Sequence, residues 1–474
     1  MSNRTYDAVV IGGGPAGYVC SIRLGQLQQR VLCIEKEEVG GVCLNWGCVP
    51  SKAIIETSHA YAKLKAGGCG LKGENVRVDA NELQDWKEGI VRRLTGGVRL
   101  LFESNRVDLT YGEARVIGPR AVRISRRDGT TETIEATKAV VIATGATTVE
   151  IPHFSCDGVR IIGAKQAVSL REVPRRLVVI GGGVIGMELG GAYQRLGSEL
   201  AVVEALPHLL SGVDPDVVAV VERRYGKRGA RILKSATALG YERGEDSALA
   251  VRVAFEGREE RLSADVVIVA VGMRPNGSGL GLEELGVHVD GGFVGSDARG
   301  ETNVPGVYAI GDCSSAPMLA HKAMKEGEVV AEVIAGHKAA KDWVAVPAAI
   351  FTDPEIATVG LSEVEARTRE VDVIVGKFPF SVLGRAMALN ETDGFVKVIA
   401  ATATHEVLGV QLVGPEAADL VSEATLALEM HAYAEDIGAT VHPHPTLGEG
   451  MMEAAMNALG QAIHIVNRRH PLRG

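Results

Sequence analysis

The chain has 474 residues, too many for one hydrophobic core, so we expect about two to four domains. Hydrophobic residues make up 46% and charged residues 23% of it, as is typical of a globular protein. The net charge of -9, with no basic tract, argues against nucleic acid and anionic membranes as partners. No apolar run reaches the roughly 18 residues that cross a bilayer, so we expect no membrane span.

The N-terminal stretch MSNRTYDAVVIGGG enters a predicted strand almost at once. It leaves no room for a signal or transit peptide, so we expect a cytoplasmic location, where most thiols stay reduced. An odd number of cysteines without regular spacing argues against a disulfide scaffold and favours metal binding or redox chemistry for any close pair. The seven cysteines are Cys20, Cys33, Cys43, Cys48, Cys69, Cys156 and Cys313.

A pattern of strand, glycine-rich turn, helix and strand occurs twice in the chain. Glu35 lies 23 residues after Gly12, and Glu204 lies 23 residues after Gly181. We interpret the two copies as two separate nucleotide-binding domains. The first copy has a strand over 6–12, a helix over 15–29 and a strand over 31–34; the second has a strand and turn over 177–186, a helix to about 196 and a strand over 200–203.

Each of the two turns has the spacing G-x-G-x-x-G. The first glycine permits a tight turn, the second lets the backbone approach a pyrophosphate, and the third lets helix and strand pack closely. The anion then lies at the helix N-terminus. Glycines alone mark any turn, but here every element of the unit is in order. The glycines are Gly12, Gly14 and Gly17 in the first copy and Gly181, Gly183 and Gly186 in the second.

An acidic residue ends the second strand of each copy, where a carboxylate accepts hydrogen bonds from ribose hydroxyls. These residues are Glu35 and Glu204. A carboxylate at Glu204 repels a 2′-phosphate, and no arginine follows it, so we expect NAD rather than NADP at the second site. The alternative is an ordinary surface glutamate, with NADP bound elsewhere.

Further buried strands divide the rest of the chain. The strands over 140–146 and 266–276 each run into a glycine and would close the first and second units, and the strand over 302–313 ends in Gly-Asp. From about residue 346 strands and helices continue without a nucleotide turn, which indicates an α+β domain. We expect segments 1–148 and 276–345 to form the first domain, 149–275 the second and 346–474 the third.

The stretch GGVCLNWGCVPSK places Cys43 and Cys48 five positions apart at the start of a predicted helix. A small disulfide loop is feasible if Cys43 lies just before the helix and Cys48 inside it, and a helix N-terminus stabilises a thiolate. Zinc usually takes four ligands, and no second pair or nearby histidine supplies them, so we expect no metal. Two inert buried cysteines are the other alternative. Lys52 would pair with an anionic cofactor state, or it is a solvated lysine.

Together these motifs resemble the flavin-dependent pyridine nucleotide-disulfide oxidoreductases over nearly the whole chain. The resemblance implies an α/β fold of two Rossmann-like domains, for FAD and NAD, and a C-terminal α+β dimerisation domain. It rests on GGGPAG with Glu35, GGVCLNWGCVPSK, ATG ending in Thr144 and Gly145, GGGVIGMELG with Glu204, GMRPN beginning at Gly272, and VPGVYAIGD ending at Asp312.

The same resemblance assigns roles to individual residues. It implies that Cys43 and Cys48 form the redox disulfide, with Cys48 nearer the flavin and Cys43 facing the substrate. Lys52 would lie near the reactive flavin nitrogen and pair with Glu188, close to the nicotinamide. Asp312 would bind the ribityl chain. Thr144, Gly145 and Gly272 would contribute to the cofactor sites through the motifs that contain them.

The C-terminal TVHPHPTLGEG resembles the signature of the dihydrolipoamide dehydrogenases within that family. It implies that His444 takes the substrate proton and that Glu449 orients its imidazole. We treat His442 in the same run as a turn residue by default. The partners implied are a second copy of the chain, lipoyl domains and the peripheral subunit-binding domain of a 2-oxo acid dehydrogenase complex, with the branched-chain complex favoured.

Some positions depart from that signature, and two other functions remain open. The alternatives are a disulfide reductase with a small-molecule substrate and a flavoprotein whose disulfide only binds or senses. The departures are Trp46, Met273, Met324, Lys325 and Gly448.

Overall fold

The structure is a computed structural model that describes residues 5–243 and 248–467. It confirms the expected α/β class, with one mixed and one parallel sheet in the N-terminal part and an antiparallel sheet in the C-terminal part. In the part of the chain that it describes, no helix has the length and apolar character needed to cross a bilayer.

The first sheet has seven strands in the order β3-β2-β1-β6-β5-β4, and β19 pairs with β6. Strands β3, β2, β1, β6 and β19 run parallel, whereas β4, β5 and β6 form an antiparallel meander. The elements are β1 (Tyr6–Ile11), α1 (Pro15–Gln26), β2 (Val31–Glu35), α2 (Gly41–Asn45), α3 (Cys48–Ala66), α4 (Ala80–Ser104), β3 (Val107–Tyr111), β4 (Glu113–Gly118), β5 (Ala121–Ser125), β6 (Thr131–Ile142) and β7 (Ala146–Thr148).

The second sheet repeats this plan with parallel strands in the order β11-β10-β9-β15-β8, accompanied by the meander β12-β13-β14. Strands β7 and β16 pair in a short antiparallel ribbon, at the points where the chain leaves the first domain and where it returns to it. The elements are β8 (Ile161–Ile162), α5 (Ala164–Ala167), β9 (Arg176–Ile180), α6 (Val184–Leu196), β10 (Glu199–Val203), α7 (Pro215–Lys227), β11 (Arg231–Leu233), β12 (Thr237–Arg243), β13 (Leu249–Phe255), β14 (Arg258–Ala264), β15 (Val266–Val269) and β16 (Met273–Pro275).

After β16 the chain returns to the first sheet and then builds the C-terminal domain. Its antiparallel sheet has the order β20-β21-β24-β23-β22. The elements are β17 (Val289–Asp290), β18 (Phe293–Val294), β19 (Val307–Ala309), α8 (Ala320–Ile334), β20 (Ala348–Ile350), β21 (Glu355–Gly360), α9 (Glu363–Thr368), β22 (Val373–Pro379), α10 (Gly384–Leu389), β23 (Phe395–Ala401), β24 (Val407–Gly414), α11 (Ala417–Glu429), α12 (Ala434–Ala439) and α13 (Glu449–Ala458).

Helix ends differ from the sequence prediction for local reasons. Helix α1 ends at Gln26 instead of residue 29 because Gln28 has a φ of 60°, which a helix does not continue through. Helix α13 begins at Glu449, after a turn that the same glutamate caps. The Thr446 amide donates to the Glu449 carboxylate at 2.8 Å, so residues 446–448 form a capping turn.

The second and C-terminal domains are joined through a buried lysine on β23. Lys397 is 1% exposed, and its Nζ contacts Asp214 at 2.9 Å and Asp216 at 2.7 Å, both at the start of α7. Burial lowers the pKa of the Lys397 ammonium, but the two carboxylates outweigh it and raise that pKa overall. Asp214 also accepts hydrogen bonds from the amides of Glu363 and Val364 at the N-terminus of α9. One charge cluster therefore fixes three elements of two domains.

We predict that Lys397→Met destabilises the protein by about 3–5 kcal/mol, because it leaves Asp214 buried without its cation. Lys377→Met is the matched control: Lys377 contacts Asp216 at 2.5 Å but is 42% exposed, so its loss should cost less than about 1 kcal/mol. Thermal unfolding of both variants measures the difference. Equal melting temperatures of the two variants would contradict the larger contribution to stability that we assign to the buried ion pair.

Candidate active site

The first glycine turn is shaped mainly by the backbone of its own domain. Gly12 has a φ of +106°, and a Cβ on it would lie 2.3 Å from the Ala143 carbonyl oxygen. A Cβ on Gly17 would lie 1.8 Å from the Gly12 oxygen. Gly14 differs, since a Cβ there would meet only the Gly41 Cα, at 3.7 Å. A positive φ and the Ala143 carbonyl thus explain the first glycine, and the close approach of α1 to the turn explains the third. The second leaves room for a ligand against the N-terminus of α1, as a pyrophosphate needs.

The second turn has the same geometry. Gly181 has a φ of +108°, and a Cβ on Gly186 would lie 2.1 Å from the Gly181 oxygen. A Cβ on Gly183 would meet nothing within 4 Å. Among the described residues, neither α1 nor α6 has a side-chain cap, so both leave first-turn N–H groups for an anion. The residues of both turns therefore fit a dinucleotide.

The carboxylates that end the second strands are held by backbone amides. Glu35 accepts from the amides of Gly13 and Glu37, both at 2.7 Å. This ties the strand end to the glycine turn and fixes the direction of the carboxylate. The hydrogen-bond capacity that remains on its oxygens can serve a ribose hydroxyl.

Glu204 repeats that arrangement in the second domain. It accepts from the amide of Gly182 at 2.6 Å and from that of Leu206 at 2.7 Å. A fixed negative charge therefore lies beside the second glycine turn, where it opposes a 2′-phosphate.

The remaining predicted cofactor residues lie where the chain crosses between domains and at the end of β19. Thr144 Oγ1 donates to the Asn276 carbonyl at 2.7 Å, and the Asn276 amide donates to Gly145 at 2.9 Å. Gly272 lies between β15 and β16. Burial raises the pKa of the Asp312 carboxyl, which lies in a short turn after β19.

A pair of buried charges behind Asp312 was missed in the sequence. Glu326 accepts from the Gly311 amide at 2.6 Å and pairs with Lys322 at 3.0 Å. Both side chains are nearly fully buried in α8. Their spacing of four residues on one helix was the only available signal. They brace the turn that presents Asp312.

The two cysteines lie side by side at the junction of two helices. Cys43 lies in the short helix α2, which precedes α3, and Cys48 is the first residue of α3. Cys43 is buried and Cys48 is exposed, and both are thiols in this structure. No group of three His, Cys, Asp or Glu within the described ranges is arranged to hold a metal ion.

The environment makes the two thiols unequal. A hydrogen bond from Cys43 and the nearby Lys52 ammonium lower the pKa of Cys48 to about 7, although desolvation of the sulfur by the surrounding protein acts in the opposite direction. The pKa of Cys43 is raised because its thiol donates to Cys48 and because it is buried. Near neutral pH the pair therefore holds its negative charge on Cys48, four residues before Lys52 on the same helix.

Lys52 joins the cysteine helix to the second domain. Its Nζ lies 2.8 Å from Glu188 Oε2 on α6, and the other carboxylate oxygen accepts from the Phe351 amide at 2.8 Å. The Phe351 ring centre lies 4.5 Å from Lys52 Nζ, a cation–π contact. The structure thus brings Cys43, Cys48, Lys52 and Glu188 together, and adds Phe351, which no sequence signal pointed to.

His444 and Glu449 form a dyad elsewhere in the same chain. His444 Nδ1 lies 2.8 Å from Glu449 Oε1, and the His444 side chain is 79% exposed. Burial raises the pKa of Glu449, but the hydrogen bonds from His444 and the Thr446 amide outweigh it and lower that pKa overall. The described contacts of His444 reach Glu449 and not the cysteine pair of its own chain.

Two further residues have contacts that the sequence did not indicate. His442 is not a free turn residue: its Nε2 lies 2.8 Å from Glu423 Oε1, with the side chain only 6% exposed. Trp46 lies beside the second domain, where Lys165 Nζ is 3.9 Å from its ring centre and 2.7 Å from Glu37 Oε2. This contact gives the unusual tryptophan a packing role between the two domains.

Comparison with known proteins gives consistent matches along the chain. Residues 6–327 match the family described as pyridine nucleotide-disulphide oxidoreductase. Residues 346–455 match the dimerisation domain described under the same name.

Similar curated proteins include a dihydrolipoyl dehydrogenase of Geobacillus stearothermophilus, 45% identical over 98% of this chain and 98% of that protein. Another, from Thermus scotoductus, is 46% identical over 98% of this chain and 100% of that protein. Among solved structures, LpdA from Mycobacterium tuberculosis superposes with a TM-score of 0.87 at 28% identity, covering 94% of this chain and 98% of that chain.

We predict that Lys52→Met raises the pKa of Cys48 above its value of about 7, because the variant removes a cation that stabilises the thiolate. The thiol is protonated below that pH and ionised above it, so the titration midpoint should move to higher pH. The ultraviolet absorption of the thiolate, taken as the difference from a Cys48→Ser protein, measures it. Lys63→Met, on the same helix but about three turns away, is the control. An unmoved midpoint in Lys52→Met would refute the assigned role of the lysine.

Proposed function

This chain belongs to the pyridine nucleotide-disulphide oxidoreductase family, and on that premise we propose that it oxidises protein-bound dihydrolipoamide with NAD through Cys43 and Cys48. The observation that carries the proposal is the cysteine pair itself, with its charge held on Cys48 beside the Lys52–Glu188 ion pair. The full-length similarity to dihydrolipoyl dehydrogenases supports the choice of substrate.

The cofactors of this chemistry are FAD and NAD. In the proposal, segments 1–148 and 276–345 hold FAD through the first glycine turn, Glu35, Thr144, Gly145 and Asp312. Segment 149–275 holds NAD through the second turn, Glu204 and Gly272. When bound, FAD supplies an acceptor for the two electrons of the dithiol and NAD an acceptor for hydride.

The substrate step is a thiol–disulfide exchange. A substrate thiolate attacks Cys43 of the oxidised pair, the bond to Cys48 breaks, and Cys48 leaves as the thiolate. The second substrate thiolate then attacks the substrate sulfur of the mixed disulfide, so that lipoamide leaves with its ring disulfide formed and Cys43 is released. Two electrons thereby pass to the enzyme pair. The low pKa of Cys48 favours it as the leaving group, and Lys52 stabilises its charge.

A base must remove the substrate thiol protons, because the thiol attacks poorly compared with the thiolate. We assign this role to His444, whose ring is oriented by Glu449. The C-terminal domain is a dimerisation domain, so a second copy of the chain supplies the route by which an exposed His444 reaches a cysteine pair. His444 of one protomer then completes the site of its partner, and segment 346–474 forms the interface.

The proposed substrate is bound to another protein, so the proposal also names protein partners. A role in a 2-oxo acid dehydrogenase complex fits the family. We propose that the chain binds the lipoyl domains and the peripheral subunit-binding domain of such a complex. Among these complexes we favour the branched-chain one. We place the reaction in the cytoplasm, where thiols outside such a catalytic pair generally stay reduced.

Steady-state turnover of dihydrolipoamide with NAD is the direct test. We expect NAD to be preferred over NADP by about 10- to 100-fold in kcat/KM, because Glu204 repels the 2′-phosphate. Glu204→Gln should narrow that ratio, whereas Glu199→Gln, an exposed residue of the same strand, should not. Turnover only of small disulfides with NADH would identify a different reductase. Flavin binding without any turnover would identify a redox sensor.

We expect two inactive variants, Cys48→Ser and His444→Gln, to regain activity when their subunits exchange. A mixed dimer has one intact site and one doubly defective site. With half the molecules mixed, activity should return to roughly a quarter of wild type. Cys48→Ser mixed with Cys43→Ser is the control and should stay inactive, since every cysteine pair is broken. If exchange is demonstrated and no activity returns, His444 does not act across the interface.

A further inference from the structure

The segment that joins β20 to β21, residues 351–354, contacts both members of the Lys52–Glu188 ion pair. The Phe351 amide donates to Glu188 Oε1 at 2.8 Å, and the Phe351 ring centre lies 4.5 Å from Lys52 Nζ. The ion pair joins the first and second domains, whereas the segment belongs to the third. The position of the pair therefore depends on how this segment is held.

Asp353, two residues later, is the buried anchor of the segment. It is 4% exposed, and three guanidinium groups of the second domain surround it. Arg228 forms an ion pair with Oδ2, Arg224 Nε lies 3.6 Å from Oδ1, and Arg195 Nη1 lies 3.9 Å from Oδ2. Burial alone would raise the pKa of the Asp353 carboxyl, but the three arginines outweigh it and lower that pKa, so the carboxylate is charged.

Helix α6 contacts the segment at two points. Glu188 and Arg195 are seven residues apart on this helix, about two turns, so they share one face. Glu188 accepts from the Phe351 amide, and Arg195 faces Asp353. Arg195 Nε also donates to Ser58 Oγ at 2.8 Å, which extends the cluster to α3, the helix that carries Lys52.

The neighbouring histidine adds no charge to the cluster near neutral pH. Burial and the arginines lower the pKa of His59 to about 4, so its imidazole is neutral. The charged groups of the cluster are therefore the three arginines and three carboxylates, since Arg224 also contacts Glu391 and Asp393 at 3.1 Å. Of these three carboxylates, Asp353 is the one in the segment that contacts Glu188.

We propose that Asp353 is a positioning residue for the Lys52–Glu188 pair: held by three arginines, it keeps the Phe351 amide and ring on the pair and so fixes the pair beside Cys48. The inference rests on the proposed function, which places the pair at the redox centre. The physical reason is that the Phe351 amide orients the carboxylate of Glu188. When the segment is released, Glu188 can turn away from Lys52 and from Cys48.

The test uses Asp353→Asn in the reduced holoprotein and two readouts that need no substrate. Hydrogen exchange of the Phe351 amide should become about tenfold faster, since the segment opens locally. The Cys48 titration midpoint should move to lower pH, in the same direction as in Glu188→Gln, because the Glu188 charge raises the pKa of that thiol. An unchanged exchange rate and midpoint in a folded Asp353→Asn protein would overturn the proposal.

A double variant separates positioning from a direct effect of the lost charge. If Asp353 acts through Glu188, Asp353→Asn combined with Glu188→Gln should titrate like Glu188→Gln alone. Additive shifts would show that Asp353 acts on Cys48 independently, which overturns the proposal.

Asp393→Asn is the matched control, because it removes a carboxylate from the same Arg224 outside the segment. It should leave both readouts unchanged, and a change as large as that in Asp353→Asn would overturn the proposal. Arg228→Gln removes one guanidinium and keeps Asp353, so it should give the same changes at smaller size. It keeps the test decisive if Asp353→Asn does not fold. Wild type that titrates normally but does not turn over dihydrolipoamide would count against the proposed function instead.

Discussion

The ion pair between Lys52 and Glu188 is the contact on which the candidate site depends. It joins two helices whose paired residues lie 136 positions apart in the chain. The Glu188 side chain is only 5% exposed, and the Phe351 ring of a third domain lies 4.5 Å from Lys52 Nζ. Coulomb attraction is strong at such a place, and the desolvation cost of the charges is offset only where further hydrogen bonds hold them. The Phe351 amide supplies one, and the thiolate that forms at Cys48 adds a favourable partner for Lys52.

In both copies of the strand–turn–helix–strand unit, the backbone of the unit holds its glutamate side chain in place. In each copy a strand ends at a glutamate whose oxygens accept from a glycine of the turn and from a residue two positions later. The amides hold the carboxylate in place before a ligand arrives, so less side-chain entropy is lost on binding. The same contact closes the turn, which couples local folding to the chemistry of recognition.

Charges are buried where the domains meet. Lys397 contacts two aspartates across one boundary, and Asp353 contacts three arginines across another. An apolar joint could bury as much area, but hydrophobic contact is non-directional. Paired charges have a narrow range of favourable geometries, and an unpaired buried charge is costly, so these clusters favour one relative orientation of the domains. That orientation places Phe351 on the ion pair.

Local sequence determined the two nucleotide turns, the acids that follow them, the strands near them and the cysteine pair, because each is encoded within about 25 residues by periodicity and by glycine at positions that tolerate no side chain. The pairing of Lys52 with Glu188, and of His444 with Glu449, was available only through resemblance to a family. Tertiary structure alone decided that Phe351 covers the ion pair, that Asp353 is buried among arginines, that Trp46 packs against Lys165 and that His442 is paired. Nothing in the local pattern of FTDPE distinguishes it from any strand connection. Its role arises from contacts between residues more than a hundred positions apart, and these exist only once three separately encoded domains have packed together.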